Sequence, residues 1–178
     1  LRVLRRGVVG DSSLDIRAAV QSALDVAEVV ILTGGLGPTP DDVTREAVAH
    51  LFEAPLASDP VLLEGLEARF RSRGFGTIPQ GSRSMALIPH GAEILPNPYG
   101  AAPGLALEWG RRGICILLPG VPREMKGIFD QGVAPLLTER YQARLQPVRH
   151  RVIHTFGVPE SVLQAQIEER LSRDLGEV

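Results

Sequence analysis

Glycine, threonine, proline and aspartate crowd into one stretch, Thr33-Gly34-Gly35-Leu36-Gly37-Pro38-Thr39-Pro40-Asp41-Asp42-Val43-Thr44. Gly34, Gly35 and Gly37 allow positive φ and leave backbone N–H groups accessible, which suits a phosphate or a similar anion. Leu36 adds no polar group. The Gly-Lys-Ser/Thr ending of a P-loop is missing, and the spacing is not that of the Gly-x-Gly-x-x-Gly dinucleotide motif. A carboxylate beside an anion site repels the anion unless a cation lies between them, so one reading has Asp42 hold Mg²⁺ against a phosphate. The other has Asp41 and Asp42 cap the following helix. From the loop alone the two readings are even.

Asp11 poses the same choice. It follows Val8-Val9-Gly10 and precedes a helical pattern, so it is either an N-cap or a second carboxylate at the sheet edge where parallel strands end and ligands bind. Two small-residue loops, Asn97-Pro98-Tyr99-Gly100-Ala101-Ala102-Pro103-Gly104 and Leu118-Pro119-Gly120-Val121-Pro122-Arg123-Glu124, would let a ligand approach closely. Taken singly, each reads as turn chemistry. Glu124 suits the first turn of a helix, where the dipole stabilises a carboxylate. His50, His90, His150 and His154 have no metal-ligand spacing and receive no role. Met85, Met125 and the few aromatic residues read as packing.

Strands and helices must hold these loops in place. Leu1-Arg2-Val3-Leu4 through Gly10 reads as a strand, Asp11-Ser12-Ser13 caps a helix reaching Ala27, and Glu28 to Leu32 reads as a strand buried on both faces. Strand, helix and strand imply a parallel βαβ unit. Helices are predicted from about Val43 to Phe52 and from Ser58-Asp59-Pro60 to Gly74, with Leu62, Leu63, Leu66 and Phe70 on one face of the second. Short runs at 85–88, 93–95, 104–109 and 113–118 read as strands, some of them hairpin-like. A helical pattern through Met125, Ile128, Phe129, Val133, Leu136, Leu137 and Tyr141 follows, kinked near Gly132 or Pro135.

The 178-residue chain carries a net charge of −2, with 44% apolar and 22% charged residues, so one principal core is expected and a polyanion-binding surface is not. Its single cysteine, Cys115, sits in an apolar run and reads as a buried small hydrophobe of a reducing compartment, the cytoplasm by default. No apolar run approaches the roughly 18 to 20 residues of a membrane span. Apolar content drops between Gln142 and Pro147, placing a boundary near residue 146. Beyond it, a strand from Arg149 to Phe156 and a helix face of Val162, Leu163, Ile167 and Leu171 are expected. About thirty residues cannot bury a core alone, so this is the opening of a second unit. Both ends of the chain read as cuts inside longer units.

Taken together, the Thr33–Thr44 loop, Asn97 through Gly104 and Leu118-Pro119-Gly120-Val121-Pro122-Arg123-Glu124 resemble the CinA family of competence/damage-inducible proteins. Phe156-Gly157-Val158-Pro159-Glu160-Ser161 is similar to the start of that family's KH-like middle domain. The resemblance implies an α/β fold, a three-layer α/β/α sandwich of the molybdopterin-binding type shared with MoaB and MogA proteins, with a mostly parallel sheet. It would span 1–146, lacking the family's first strand and helix with their Gly-Thr-Glu-Leu segment, and be followed by a truncated α+β segment over 147–178. Gly81-Ser82-Arg83-Ser84 stands where the family has Asn-x-x-Gln, and the resemblance does not extend to the family's C-terminal deamidase domain, so that activity is not expected of these residues. The implied activity is metal-dependent ADP-ribose pyrophosphatase, releasing AMP and ribose 5-phosphate. Asp42 and Asp11 would be the catalytic, Mg²⁺-holding carboxylates. Thr33, Gly34, Gly35, Gly37, Pro38, Gly104, Pro119 and Gly120 would bind substrate, with the Gly34 to Gly37 amides on the diphosphate. The partner is a small nucleotide of the ADP-ribose class, neither nucleic acid nor membrane, and a homodimer is expected. Two alternatives stand beside this: a molybdopterin-type transferase of cofactor biosynthesis, and a non-catalytic nucleotide-binding or oligomerisation module.

Overall fold

In the computed structural model, residues 2–111, 113–145, 152 and 154–174 are described. The chain divides into two units, Leu1–Leu145 and Gln146–Val178. In the first, Ser12 caps α1 (Ser13–Leu24) by accepting from Asp15 N–H. The chain then runs through β1 (Val29–Thr33), α2 (Thr44–Leu51), β2 (Leu56–Ser58) and α3 (Pro60–Ser72). Asp59 caps α3 from its Oδ1, 2.8 Å from Leu62 N, with Pro60 in the first turn. A short α4 (Gln80–Arg83), a 3₁₀ turn (Ser84–Ala86), β3 (Leu87–Pro89), β4 (Glu93–Leu95), β5 (Gly104–Trp109) and β6 (Gly113–Leu118) follow.

One helical stretch closes the unit. It comprises α5 (Pro122–Ile128), a π turn (Phe129–Val133) and α6 (Ala134–Tyr141). Pro135 has no N–H to give the preceding turn, and the widened turn lies where that bond would have been. The expected kink near Gly132 and Pro135 is this π turn.

The main sheet has the order β1-β6-β5-β4, and β2 pairs antiparallel with β3 in a separate ladder. β1 and β6 are parallel, from Val29 opposite Ile114 to Thr33 opposite Leu118, while β6–β5 and β5–β4 are antiparallel. The fold is α/β, but the sheet is mixed instead of mostly parallel. The link from Trp109 to Gly113 is too short for a parallel crossover, which needs about a dozen residues. β6 is buried along its whole length. Cys115 and Leu117 join Leu105, Leu107 and residues of α1, α2 and α3 on one face. Ile114, Ile116 and Leu118 join Ile128, Val133, Leu137 and Tyr141 on the other. Helices therefore cover both faces of the sheet. Burial pushes the Cys115 thiol up to about 12, so it packs as an inert apolar group.

The expected first strand does not form. Residues 2–10 are exposed and form no strand, so no βαβ unit precedes β1. Val3-Leu4 and Val8-Val9 are adjacent pairs that would point to opposite faces of a strand, leaving neither face apolar. β1, expected to be buried on both sides, stands at the sheet edge with Ile31 41% exposed. In the second unit α7 spans Glu160–Asp174, with Val162 and Ile167 exposed on it. The strand expected from Arg149 to Phe156 falls largely outside the described residues, and 154–156 are not in a strand.

Candidate functional site

β1 and β6 run side by side, and their C-terminal ends deliver the two glycine-containing loops to one place. Gly34 N–H donates to Leu118 O at 2.9 Å, fastening the loop after β1 to the end of β6. A cleft of about 580 Å³ opens there. Gly34, Gly35, Leu36, Gly37, Pro38 and Asp42 line it from the first loop. Pro119, Gly120, Val121, Pro122 and Glu124 line it from the second, and Met85, Ala101 and Ala102 complete the wall. Seven of the predicted site residues thus meet: Gly34, Gly35, Gly37, Pro38, Asp42, Pro119 and Gly120.

Three do not line this cleft. Thr33 ends β1 opposite Leu118. Gly104 begins β5, packed against side chains of Ile128, Leu118 and Leu95. Asp11 is exposed just before the Ser12 cap of α1. The strand end expected to carry it toward Asp42 is not there, which leaves the family resemblance as the basis for pairing the two.

The glycine loop is locked from within. Gly35 has φ +69°, and a β-carbon on it would lie 2.1 Å from Thr44 Oγ1, so only glycine fits. Thr44 N–H donates to Gly35 O at 3.1 Å, and the Leu36 side chain is buried in the larger core. Asp42 caps nothing ahead of it: Val43 occupies the N-cap position of α2 without a side-chain bond. Instead its carboxylate turns back, and Oδ2 accepts from Thr39 N–H at 2.9 Å and from Thr39 Oγ1 at 2.5 Å. Burial raises its pKa, but bonds from the Thr39 hydroxyl, Thr39 N–H and Gly37 N–H, with Arg45 nearby, outweigh that and hold it below the ordinary carboxylate range. With the Gly34 and Gly37 amides engaged, the N–H groups of Gly35 and Leu36 have no partner among the described residues.

Glu124, which the sequence suggested only as a first-turn residue, is the second carboxylate of the cleft. Its Oε2 accepts from Asn97 Nδ2 at 2.7 Å, and the same amide donates to Ala102 O at 2.7 Å. Asn97 Oδ1 accepts from Tyr99 and Gly100 N–H. A β-carbon at Gly100 would lie 1.8 Å from Glu124 Oε2, so the bare glycine is what lets the carboxylate settle there. Arg69 of α3 donates to Gly100 O and fixes the same loop from behind. Among the described residues, two carboxylates and no Lys or Arg line the cleft.

Residues 1–139 match the family described as "Probable molybdopterin binding domain". The structure of the CinA protein from Thermoplasma acidophilum is 33% identical, with a TM-score of 0.63, over 71% of this chain and 72% of that one. The chain belongs to the CinA-like members of the molybdopterin-binding domain family. CinA-like proteins of Gemmatimonas aurantiaca and Salinibacter ruber are 40% and 41% identical to it, over 95% and 99% of this chain. The CinA-like chain spans about two fifths of the length of these curated relatives, 40% and 42%. The family places its glycine loop and its Pro119-Gly120 loop in one domain.

Proposed function

We propose that this CinA-like domain hydrolyses the diphosphate bond of a small nucleotide of the ADP-ribose class, yielding AMP and ribose 5-phosphate. One observation carries the reading: among the described residues, the cleft that gathers the glycine loop is lined by Asp42 and Glu124 and by no Lys or Arg. Such a cleft repels a diphosphate unless a divalent ion accompanies it. The donor set fits Mg²⁺: two hard carboxylates, of which Asp42 is held ionised, complemented by the oxygens of a phosphate. Asp42 and Glu124 would hold the ion, and Asp11 is left out of the ligand set. When bound, Mg²⁺ supplies Lewis-acid polarisation of a phosphoryl oxygen and lowers the pKa of coordinated water.

The chain's own groups do the positioning. Gly35 and Leu36 offer two backbone N–H groups to phosphate oxygens, in a loop that Thr44 and the buried Leu36 side chain keep from rearranging. Asn97 orients Glu124 toward the cleft, and Pro119 and Gly120 let a ligand approach the backbone without a side chain in the way.

The test is hydrolysis of ADP-ribose by the whole chain, with and without Mg²⁺, in the wild type, Asp42→Asn and Glu124→Gln. Turnover is expected to require the metal and to fall on the order of 100-fold in each variant. Unchanged turnover in either variant removes that residue from the ligand set. No hydrolysis by the wild type, with saturable ADP-ribose binding retained, would favour a binding module.

A further inference from the structure

Arg45 lies in the first turn of α2 and is 1% exposed, the largest fully buried side chain described. A basic residue at that place in a sequence reads as solvated surface. Here its guanidinium instead donates to two backbone carbonyls, Leu36 O at 2.5 Å and Ser84 O at 2.8 Å. Its Nε has no partner, and among the described residues it makes no ion pair. A buried charge hydrogen-bonded only to carbonyls, with one donor orphaned and the Glu46 and Asp42 carboxylates acting on it without an ion-pair contact, is an expensive way to hold a core together, since an apolar side chain of similar size often does as well. Its partners show what the expense serves. Leu36 belongs to the glycine loop, and Ser84 adjoins Met85, which lines another part of the same cleft.

We infer that Arg45 is a positioning residue that clamps the Leu36–Gly37 peptide and so sets the direction of the loop's ligand-binding amides. The peptide is trans, so its carbonyl and its N–H point opposite ways. The carbonyl is held by Arg45. The N–H lies against the Asp42 carboxylate, whose charge it helps to stabilise. One peptide unit therefore lies between opposite charges, its carbonyl bonded to the guanidinium and its N–H in the field of the carboxylate, and each polarises the peptide toward the other. With that unit fixed, the neighbouring Gly35 and Leu36 N–H groups keep their aim, while the bond to Ser84 ties the loop to the segment bearing Met85. The effect on affinity rests on the cleft being a phosphate site, whereas the clamp itself does not.

Arg45→Met and Arg45→Lys, made in the whole chain, test this with two readouts. Amide exchange by NMR is expected to quicken about tenfold at Gly37 in Arg45→Met while β6 amides exchange as in the wild type. KM for ADP-ribose with Mg²⁺ is expected to rise about tenfold with kcat changed by less than about twofold, because what is lost is alignment for binding. Arg45→Lys keeps one charged contact to Leu36 O and is expected to fall between, and it decides the matter if Arg45→Met does not fold. Unchanged Gly37 exchange in a folded variant overturns the clamp, and faster exchange with KM unmoved in a chain that turns over ADP-ribose overturns the positioning of ligand-binding amides by it. Faster Gly37 exchange in a chain without turnover on ADP-ribose supports the clamp and counts against the pyrophosphatase reading alone.

Discussion

Asp42 turns its carboxylate on its own loop, and this gives the site a pH signature. Its pKa is lowered in the folded chain, so the stabilisation it brings is present above the ordinary carboxylate value and is lost as pH falls through the lowered one. Wild type is therefore expected to lose its advantage over Asp42→Asn in urea unfolding as the pH is taken from neutral to below about 4. Gly35 is stricter. Alanine there meets both a left-handed backbone and the Thr44 hydroxyl 2.1 Å away, and Gly35→Ala is expected to cost ~2–4 kcal/mol by the same measurement.

At the scale of elements, α3 carries Arg69 to the back of the loop that positions Glu124, so its cap matters to the site as well as to the helix. Asp59→Ala removes the bond to Leu62 N–H and is expected to cost about 1 kcal/mol in chemical denaturation. The caps at Ser12 and Asp59 and the strands at 93–95, 104–109 and 113–118 were legible because the signal in each is local: a capping side chain, a proline, a short apolar run set off by Gly, Pro or Asn. What the sequence could not show is what depends on a partner. β2 is three residues long and exists through its ladder with β3, and residues 2–10 have the β-branched content of a strand without a neighbour. The site divides along the same line. Gly34 to Pro38 and Pro119-Gly120 announce themselves as small-residue loops, whereas Glu124 becomes part of the cleft through Asn97, 27 positions earlier. Arg45 is hidden for the same reason, since one of its carbonyls lies 39 residues away at Ser84.

Across the whole molecule, β6 is where structure and site depend on each other. It has a neighbour on each side and both faces covered, it presents Cys115 and Leu117 to one helical layer and Ile114, Ile116 and Leu118 to the other, and its last carbonyl fastens the glycine loop. Leu117 is fully buried, so shortening it leaves a cavity that neither the ladder nor the layer can close. Leu117→Ala is accordingly expected to destabilise the first unit by ~2–5 kcal/mol, a large share of the stability of a domain this size. Val162 of α7 belongs to the other unit and is 46% exposed, so Val162→Ala is expected to stay within about 0.5 kcal/mol. The chain holds a single tryptophan, Trp109 at the end of β5, whose ring centre lies 5.1 Å from that of Phe52. Its fluorescence in a urea titration reports the first unit selectively, and comparable shifts for the two variants would mean that the stability read there does not reside in the sheet.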